Sequence, residues 1–571
     1  MNIFCVDSPY ANALRNLGHN VLAPKFEEGI LYIPSVLEAH DFKPDLFIQH
    51  ERLSARLILG GLHKIPCPTV FVSIDAHLNM FWHKFYGKLF DVVLTPHVSL
   101  YKALNKAERL PAVRRFAPTG YNHEFTPYAE REHTASFVGV LTKHRPARTD
   151  MVELLTKHCA LYRPDSFLQH KDMLTLFANS AIVPNESIAL EVNFRLFEAA
   201  SCGALVISQD IGEDQNAHFT PGVECETYAN ALELIDKISY YIKNLEAAQK
   251  IGKAGWERVQ KEHLPIHRAE RLAASAKTSQ YRASGEDANL YFYLTLLQMA
   301  RIKSHPLPAE WFFKRWSELP KNSMASAAKL QLLLECSNPA NAMYSSEYAE
   351  KYKIEANFIL AEALKDNLHT GSLEFNLTAA MGAVLFGDLN MAKAFWLRQV
   401  QSLALQNADF VRFINQPLSS RYEHFVAWGK LLVKLGKCAQ PGFGFRPDSG
   451  FIPASAFECA LLAQNEAPKG RMEWLALMHS ICSVERGFTY WDMGFLAQMS
   501  LAAPQNWQLQ MQYGVSCIVN YRPDSGLFEL AEARKTAIAA GEENSFISTL
   551  EAFASSRYIS GALHKFNTAG L

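Results

Sequence analysis

The sequence predicts two doubly wound α/β domains followed by an all-helical domain. Two observations carry this. Over the first 272 residues, short runs of Val, Ile, Leu and Phe alternate with amphipathic segments, and the runs are apolar throughout instead of every second residue. Strands buried on both faces read that way, and helices between them make the sheet parallel. Beyond residue 287 the β-branched runs nearly vanish and the remaining periodicity is helical.

The first domain is expected over residues 1–127. NIFCV at 2–6 reads as a strand, 10–17 as a helix stopped by Gly18, and 20–24 as a second strand. Further strands are predicted at 46–50, 69–75, 92–96 and 113–118. The pattern restarts in a second domain, 128–272. Here 135–140 (ASFVGV), 181–185 and 204–209 read as strands, 150–158 and 194–201 as helices, and 228–262 as two long amphipathic helices. The small, polar stretch 273–287 reads as a linker.

Residues 288–571 are expected to be helical. One segment, LTAAMGAVLFGDLNMAKAFWLRQVQSL, has the look of a tetratricopeptide-like hairpin, with Ala380 and Gly382, the turn Gly387-Asp388, then Ala392 and Phe395. Gly429 and Gly436 have the seven-residue spacing of such a repeat's first helix. No 34-residue period can be fixed, so a helical repeat and an irregular all-α domain both stay open. The Gly/Pro-rich loop 440–453 with three Phe is expected to cap this domain's core.

Charge and composition narrow the function classes. The 571 residues carry 56 Lys+Arg against 57 Asp+Glu, a formal charge of −1, which argues against a nucleic acid as main partner. Ten cysteines without a CxxC pair predict buried free thiols in a reducing compartment. No basic n-region with an apolar core opens the chain and no run of about 18 apolar residues occurs, so a cytoplasmic protein without a membrane span is expected.

Open α/β sheets bind ligands beyond the carboxyl ends of their strands. Those positions hold Asp7, His50-Glu51, Asp75-Ala76-His77 and His97 in the first domain. In the second they hold Gly139, then Lys143, Arg145 and Arg148, then Asn185-Glu186 and Gln209-Asp210. Lys143, Arg145 and Arg148 fall between a strand and a helix start, where the dipole already favours an anion. Cations there do nothing for the helix, so a phosphate partner explains them; a solvated basic loop is the plainer alternative. Asn193, Arg195 and Glu198 open the helix at 194–201. A carboxylate so placed can accept two ribose hydroxyls, or merely stabilise its own helix. No His/Cys set has metal-ligand spacing, so no metal and no bound cofactor are expected.

These residues also carry a resemblance. Asn193-x-Arg195-x-Phe197-Glu198, Ala200-Ser201-x-Gly203-Ala204-x-Val206-Ile207-Ser208, Phe219-Thr220-Pro221-Gly222-Val223-Glu224, Tyr228, and Gly252-x-x-Gly255…His263…Arg268 resemble the donor-binding half of GT-B glycosyltransferases, in the CgeB-like branch of the family 4-like group. Phe137-Val138-Gly139 with Arg145 and Arg148 is similar to that family's FVG…R…R segment. Pro118-Thr119-Gly120-Tyr121-Asn122 resembles its interdomain hinge, and Leu17-Gly18-His19-x-Val21 the first helix-to-strand turn. The likeness spans residues 1–272, strongest in the second domain. One departure is notable. Many family 4 enzymes carry two Glu eight residues apart; Glu198 matches the second, but Leu190 stands at the first and Glu191 is one residue off.

The resemblance implies transfer of a sugar from a UDP- or GDP-linked donor to a protein or large glycan. The helical domain would recognise the acceptor or a protein partner. It implies Arg145 and Arg148 as stabilisers of the departing diphosphate, Lys143 and Arg195 as secondary contacts, Gly139 and Asn193 beside the donor, and Glu198 on the ribose. Retention of configuration without a metal is expected; for an inverting enzyme Asp75 is the candidate base, with His77 or His50 next. A nucleotide-sugar epimerase or hydrolase of the same fold, and a non-catalytic helical-repeat scaffold, are the competing readings.

Overall fold

In a computed structural model of the chain, all residues are described except 53–55, 105–111, 144, 188, 279–281, 306, 342, 439–449, 467–470, 485–488 and 569–571. The first domain holds β1 (Asn2–Val6), β2 (Asn20–Leu22), β3 (Gly29–Tyr32), β4 (Leu46–His50), β5 (Leu57–Gly60), β6 (Thr69–Val72), β7 (Val92–Thr95) and β8 (Ala112–Arg115). Six form a parallel sheet in the order β2-β1-β4-β6-β7-β8, and β3 pairs with β5 in a separate parallel ribbon. The second domain holds β9 (His133–Ser136), β10 (Leu161–Tyr162), β11 (Ser180–Asn185), β12 (Leu205–Gln209) and β13 (Glu226–Tyr228), parallel in the order β10-β9-β11-β12-β13. In both sheets the second strand lies outside the first and the rest follow in chain order. The winding therefore reverses between β1 and β4, and again between β9 and β11. Ligands of such sheets collect at these reversals.

The continuous apolar runs follow from two-sided burial. In β1, Phe4 and Val6 face one core while Ile3 and Cys5 face another. In β11 and β12, Ile182, Leu205 and Ile207 point to one side, and Val183 and Val206 to the other. All ten cysteines are free, and all but Cys159 are buried.

The chain crosses between the domains twice, at 116–121 and at 262–268. Arg268 is wholly enclosed and fastens the crossings together, donating to the carbonyls of Ala117 (2.9 Å), Pro118 (3.0 Å) and Glu262 (3.1 Å). The following helix, Pro265–Ala274, returns to the first domain, where Ala269 and Leu272 pack with Ile3, Cys5, Leu14 and Val70.

The helical region is a stack of antiparallel hairpins whose first helices begin at residues 323, 373, 421, 472, 507 and 543. The step shortens along the stack, from about fifty residues to about thirty-five, so no single repeat length applies. Gly429 lies within helix Arg421–Lys434, but Gly436 does not share it: at φ +69° it is the left-handed stop beyond that helix. The second helix of the first hairpin is Ala349–Lys365. Most of loop 440–453 lies outside the described residues. Its end is anchored, with Ile452 N–H donating to the buried Glu335 at 3.1 Å.

The stack rests on both α/β domains. Helix Gly285–Arg301 packs against helix Ala76–Tyr86, and one continuous core runs from Phe71, Trp82 and Phe90 through Tyr293 and Leu297 to Trp396 and Trp428. Within the stretch expected as a linker, Arg282 reaches back to the fully buried Asp91 at 2.8 Å. At the far end the last hairpins touch the second domain. Among the described residues no helix is long and apolar enough to cross a membrane.

Candidate active site

The reversal point of the second sheet is built around Arg195. Helix Phe194–Ser201 starts at Asn193, whose side chain caps it by accepting from Leu196 N–H (3.3 Å) and donates to the Glu186 carbonyl (3.1 Å). That cap aims Arg195 across the ends of β9 and β11. Its Nε donates to the Val138 carbonyl (3.1 Å), its Nη1 to Asn185 Oδ1 (3.0 Å), and its guanidinium lies over the Phe137 ring at 4.7 Å. Nη2 is left over, beside Gly139. A Cβ on Gly139 would come within 2.8 Å of that nitrogen, so only glycine lets the loop lie on the guanidinium.

The predicted cationic cluster divides into three roles. Arg148 is buried and its Nε donates to Glu186 at 2.8 Å, so its charge is already balanced. Arg145 is half-buried at the N-cap of helix Pro146–His158, where the first amides of that helix are open to an anion. Lys143 is exposed, and His144 lies outside the described residues. Burial and the neighbouring Arg148 push the pKa of Arg145 down, and the same two causes bring Arg195 to about 10. Two guanidiniums crowded together in a partly buried cleft suit an anionic ligand.

Glu198, one turn beyond Arg195, sits near His170 (3.5 Å) and beneath the hinge residue Tyr121, whose ring packs on His170 at 4.6 Å. Burial raises the pKa of the Glu198 carboxyl, while His170 and Arg195 pull it back. Glu191 is folded into its own loop, accepting from Ser187 Oγ (2.6 Å) and Ala189 N–H (2.7 Å), with Leu190 held at φ +50°. Leu190 thus stands in a left-handed turn, and the neighbouring Glu191 carboxylate is engaged by the Ser187 hydroxyl and the Ala189 amide.

On the facing domain, Asp75 begins helix Ala76–Tyr86 without capping it through its side chain. Its pKa is raised by burial, by Glu51 and, from the opposite domain, by Glu191; His77 and His83 oppose the shift. Asp75 and Glu191 therefore lie within electrostatic range of one another. His77 lies against the buried His97 (ring centroids 5.1 Å apart), and burial holds His97 well below its ordinary pKa. His50 packs on Tyr10, and burial lowers it to about 4.

Sequence reasoning placed Glu51 at a strand end but missed that it organises this wall. Its carboxylate accepts from the N–H groups of Ile74 (2.6 Å) and Asp75 (2.8 Å) and from Asn79 (2.8 Å), and meets His83 Nε2 at 3.1 Å. Burial alone would raise its pKa; His83 and the two amides bring it below the usual range. Behind it Ser73 Oγ lies 3.0 Å from His83 Nδ1 and accepts from Tyr101 OH. These partners are 22 to 50 residues from Glu51, and only a polar residue ending an apolar run hinted at them.

Residues 138–274 match the family model described as "Glycosyl transferase-like". The matched stretch contains Gly139, Arg145, Arg148, Asn193, Arg195 and Glu198, so this domain is of glycosyltransferase type. No curated protein matches the chain. Solved structures similar to it include sucrose-phosphate synthase from Thermosynechococcus elongatus (12% identity, 48% of this chain and 98% of that one, TM-score 0.35). Another is Anabaena Alr3699/HepE in complex with UDP and glucose (13% identity, 49% and 100%, TM-score 0.36). Among the described residues no group of three His, Cys, Asp or Glu side chains is arranged to hold a metal ion.

Proposed function

We propose that the protein transfers a sugar from a nucleoside-diphosphate donor to a protein or large glycan, retaining the anomeric configuration and without a metal ion. The observation that carries this is Arg195. Two of its nitrogens are consumed by Val138 and Asn185, and the third is presented beside Gly139 at the winding reversal of the glycosyltransferase-type domain. In this reading Arg195 Nη2, Arg145 and the first amides of helix Pro146–His158 surround the diphosphate. Arg148, balanced by Glu186, keeps the helix start in register, and Lys143 adds long-range attraction.

Departure of the diphosphate places negative charge on its bridging oxygen as the bond to the anomeric carbon breaks. Fixed guanidiniums and amides at that position lower the barrier because they need no reorganisation. The acceptor oxygen bonds the anomeric carbon on the face the diphosphate leaves, and its proton passes to the leaving phosphate. Glu198 accepts the ribose hydroxyls. In an inverting reaction Asp75, held by the Glu51 bracket and within electrostatic range of Glu191, would take the proton instead. The hairpin stack is left to bind the acceptor or a partner.

Thermal melting with UDP, GDP and other nucleotides tests the reading. One nucleoside diphosphate raises the melting temperature of the wild type, and Glu198→Ala removes the shift. Mass spectrometry of lysate proteins incubated with the enzyme and nucleotide sugars then shows the increment of one sugar. No shift with any nucleotide would overturn the reading, and free epimerised nucleotide sugar would favour an epimerase.

A further inference from the structure

We propose that Tyr521, carried by the helical region, is a positioning residue of the donor site, so that the last hairpins of the stack complete that site. The inference rests on the donor reading above. Tyr521 lies in the turn between helices Trp507–Val519 and Pro523–Ala539. Its φ of +65° is left-handed, a conformation that an aromatic residue adopts only when its surroundings hold it there. The turn sends the ring out of its own hairpin and into the core of the second α/β domain, among Met151, Leu155, Leu205 and Tyr228, where it is 4% exposed.

A chain of hydrogen bonds leads from there to the phosphate cluster. The Tyr521 and Tyr228 hydroxyls are 2.8 Å apart, and Tyr228 OH donates to the carbonyl of Asn185 at 3.2 Å. Tyr521 is therefore the donor of the first bond. Asn185 is the residue whose Oδ1 seats Arg195, and its Nδ2 is fixed by Ser208 Oγ at 3.0 Å. The next residue makes a second attachment: Arg522 Nε donates to Asp150 Oδ2 at 2.8 Å, on the helix whose start carries Arg145 and Arg148. One turn of the helical region thus grips both supports of the anion site, the end of β11 and the helix that follows β9. Such chains strengthen bond by bond, so loss of the outermost donor loosens the inner members.

The test uses the full chain and titrates UDP and GDP calorimetrically, with thermal melting of the nucleotide-free protein alongside. Tyr521→Phe keeps the ring and removes only the hydroxyl. It should weaken nucleoside-diphosphate affinity about tenfold, as expected for one hydrogen bond acting through a rigid chain, while the nucleotide-free melting temperature moves by about 2 °C or less. Arg522→Asp and Asp150→Arg should each weaken binding, and the double exchange should restore it toward the wild type, which a general loss of stability would not do. If the wild type binds neither nucleotide, the donor reading fails and this inference falls with it. If the wild type binds and all these variants bind equally well, the donor reading stands and the role of Tyr521 is overturned.

Discussion

Gly139 has no room for a side chain. An added Cβ would meet Arg195 Nη2 at 2.8 Å and the Phe137 ring at 3.1 Å. The guanidinium cannot retreat without leaving Val138 and Asn185, so Gly139→Ala displaces the one nitrogen left for a ligand. Isothermal titration should show nucleoside-diphosphate affinity reduced at least about tenfold, the loss expected for one charge-assisted hydrogen bond. The fold should persist, because the neighbour pushed aside is the end of a side chain and not backbone. At this scale the sequence was informative about residue types and poor about their assignments. Arg148 and Arg195 look alike in sequence. Only the fold reveals that Glu186 claims the first and that the second keeps a free nitrogen.

At the scale of elements, legibility followed burial. Helix Phe194–Ser201 is the predicted one to the residue, because Asn193 caps it and Gly203 (φ +70°) follows its end. The strands of both sheet centres were plain for a physical reason: helices or loops cover both faces, so apolar residues dominate their middles. The ribbon β3–β5 and the edge strand β13 were missed. Each is three or four residues long; exposed or polar positions blur β3 and β13, whereas β5 is buried throughout but too short to stand out. Helix Pro265–Ala274 was not predicted, and neither was its return across the hinge. That depends on Arg268 bonding three carbonyls distant in sequence or direction. The same holds for Glu51, whose partners all come from the later stretch 74–83.

At the scale of the whole molecule, the hairpin stack is no loosely tethered appendage. It shares a core with the first domain and plugs Tyr521 into the core of the second. Several histidines are sealed within this assembly. Burial lowers His50 to about 4 and His424 to about 4; burial, reinforced by Arg268, lowers His263 to about 3. The unfolded chain would bind protons at these sites near pH 6.5, and the folded chain refuses them until far lower. Their contribution to stability is therefore complete above about pH 6.5 and is lost as pH falls toward 4, on the order of 2 kcal/mol for each at pH 5. Asp75, Glu198 and Glu335, whose pKa values are raised by burial, offset part of this in the opposite sense. Melting temperatures should change little between pH 7.5 and 6.5 and fall from there to 5.0, and His424→Phe should flatten that fall. A melting temperature independent of pH over that range would mean that these histidines are not held neutral.

The central claim is that the second α/β domain is a nucleoside-diphosphate site organised by Arg195. A crystal structure of the full chain soaked with UDP or GDP tests it most directly. The account predicts the diphosphate at the end of β9, in contact with Arg195 Nη2 and the first amides of helix Pro146–His158, with the ribose against Glu198. A nucleotide bound elsewhere, or an Arg195 that keeps its bonds to Val138 and Asn185 with no phosphate beside it, would contradict it.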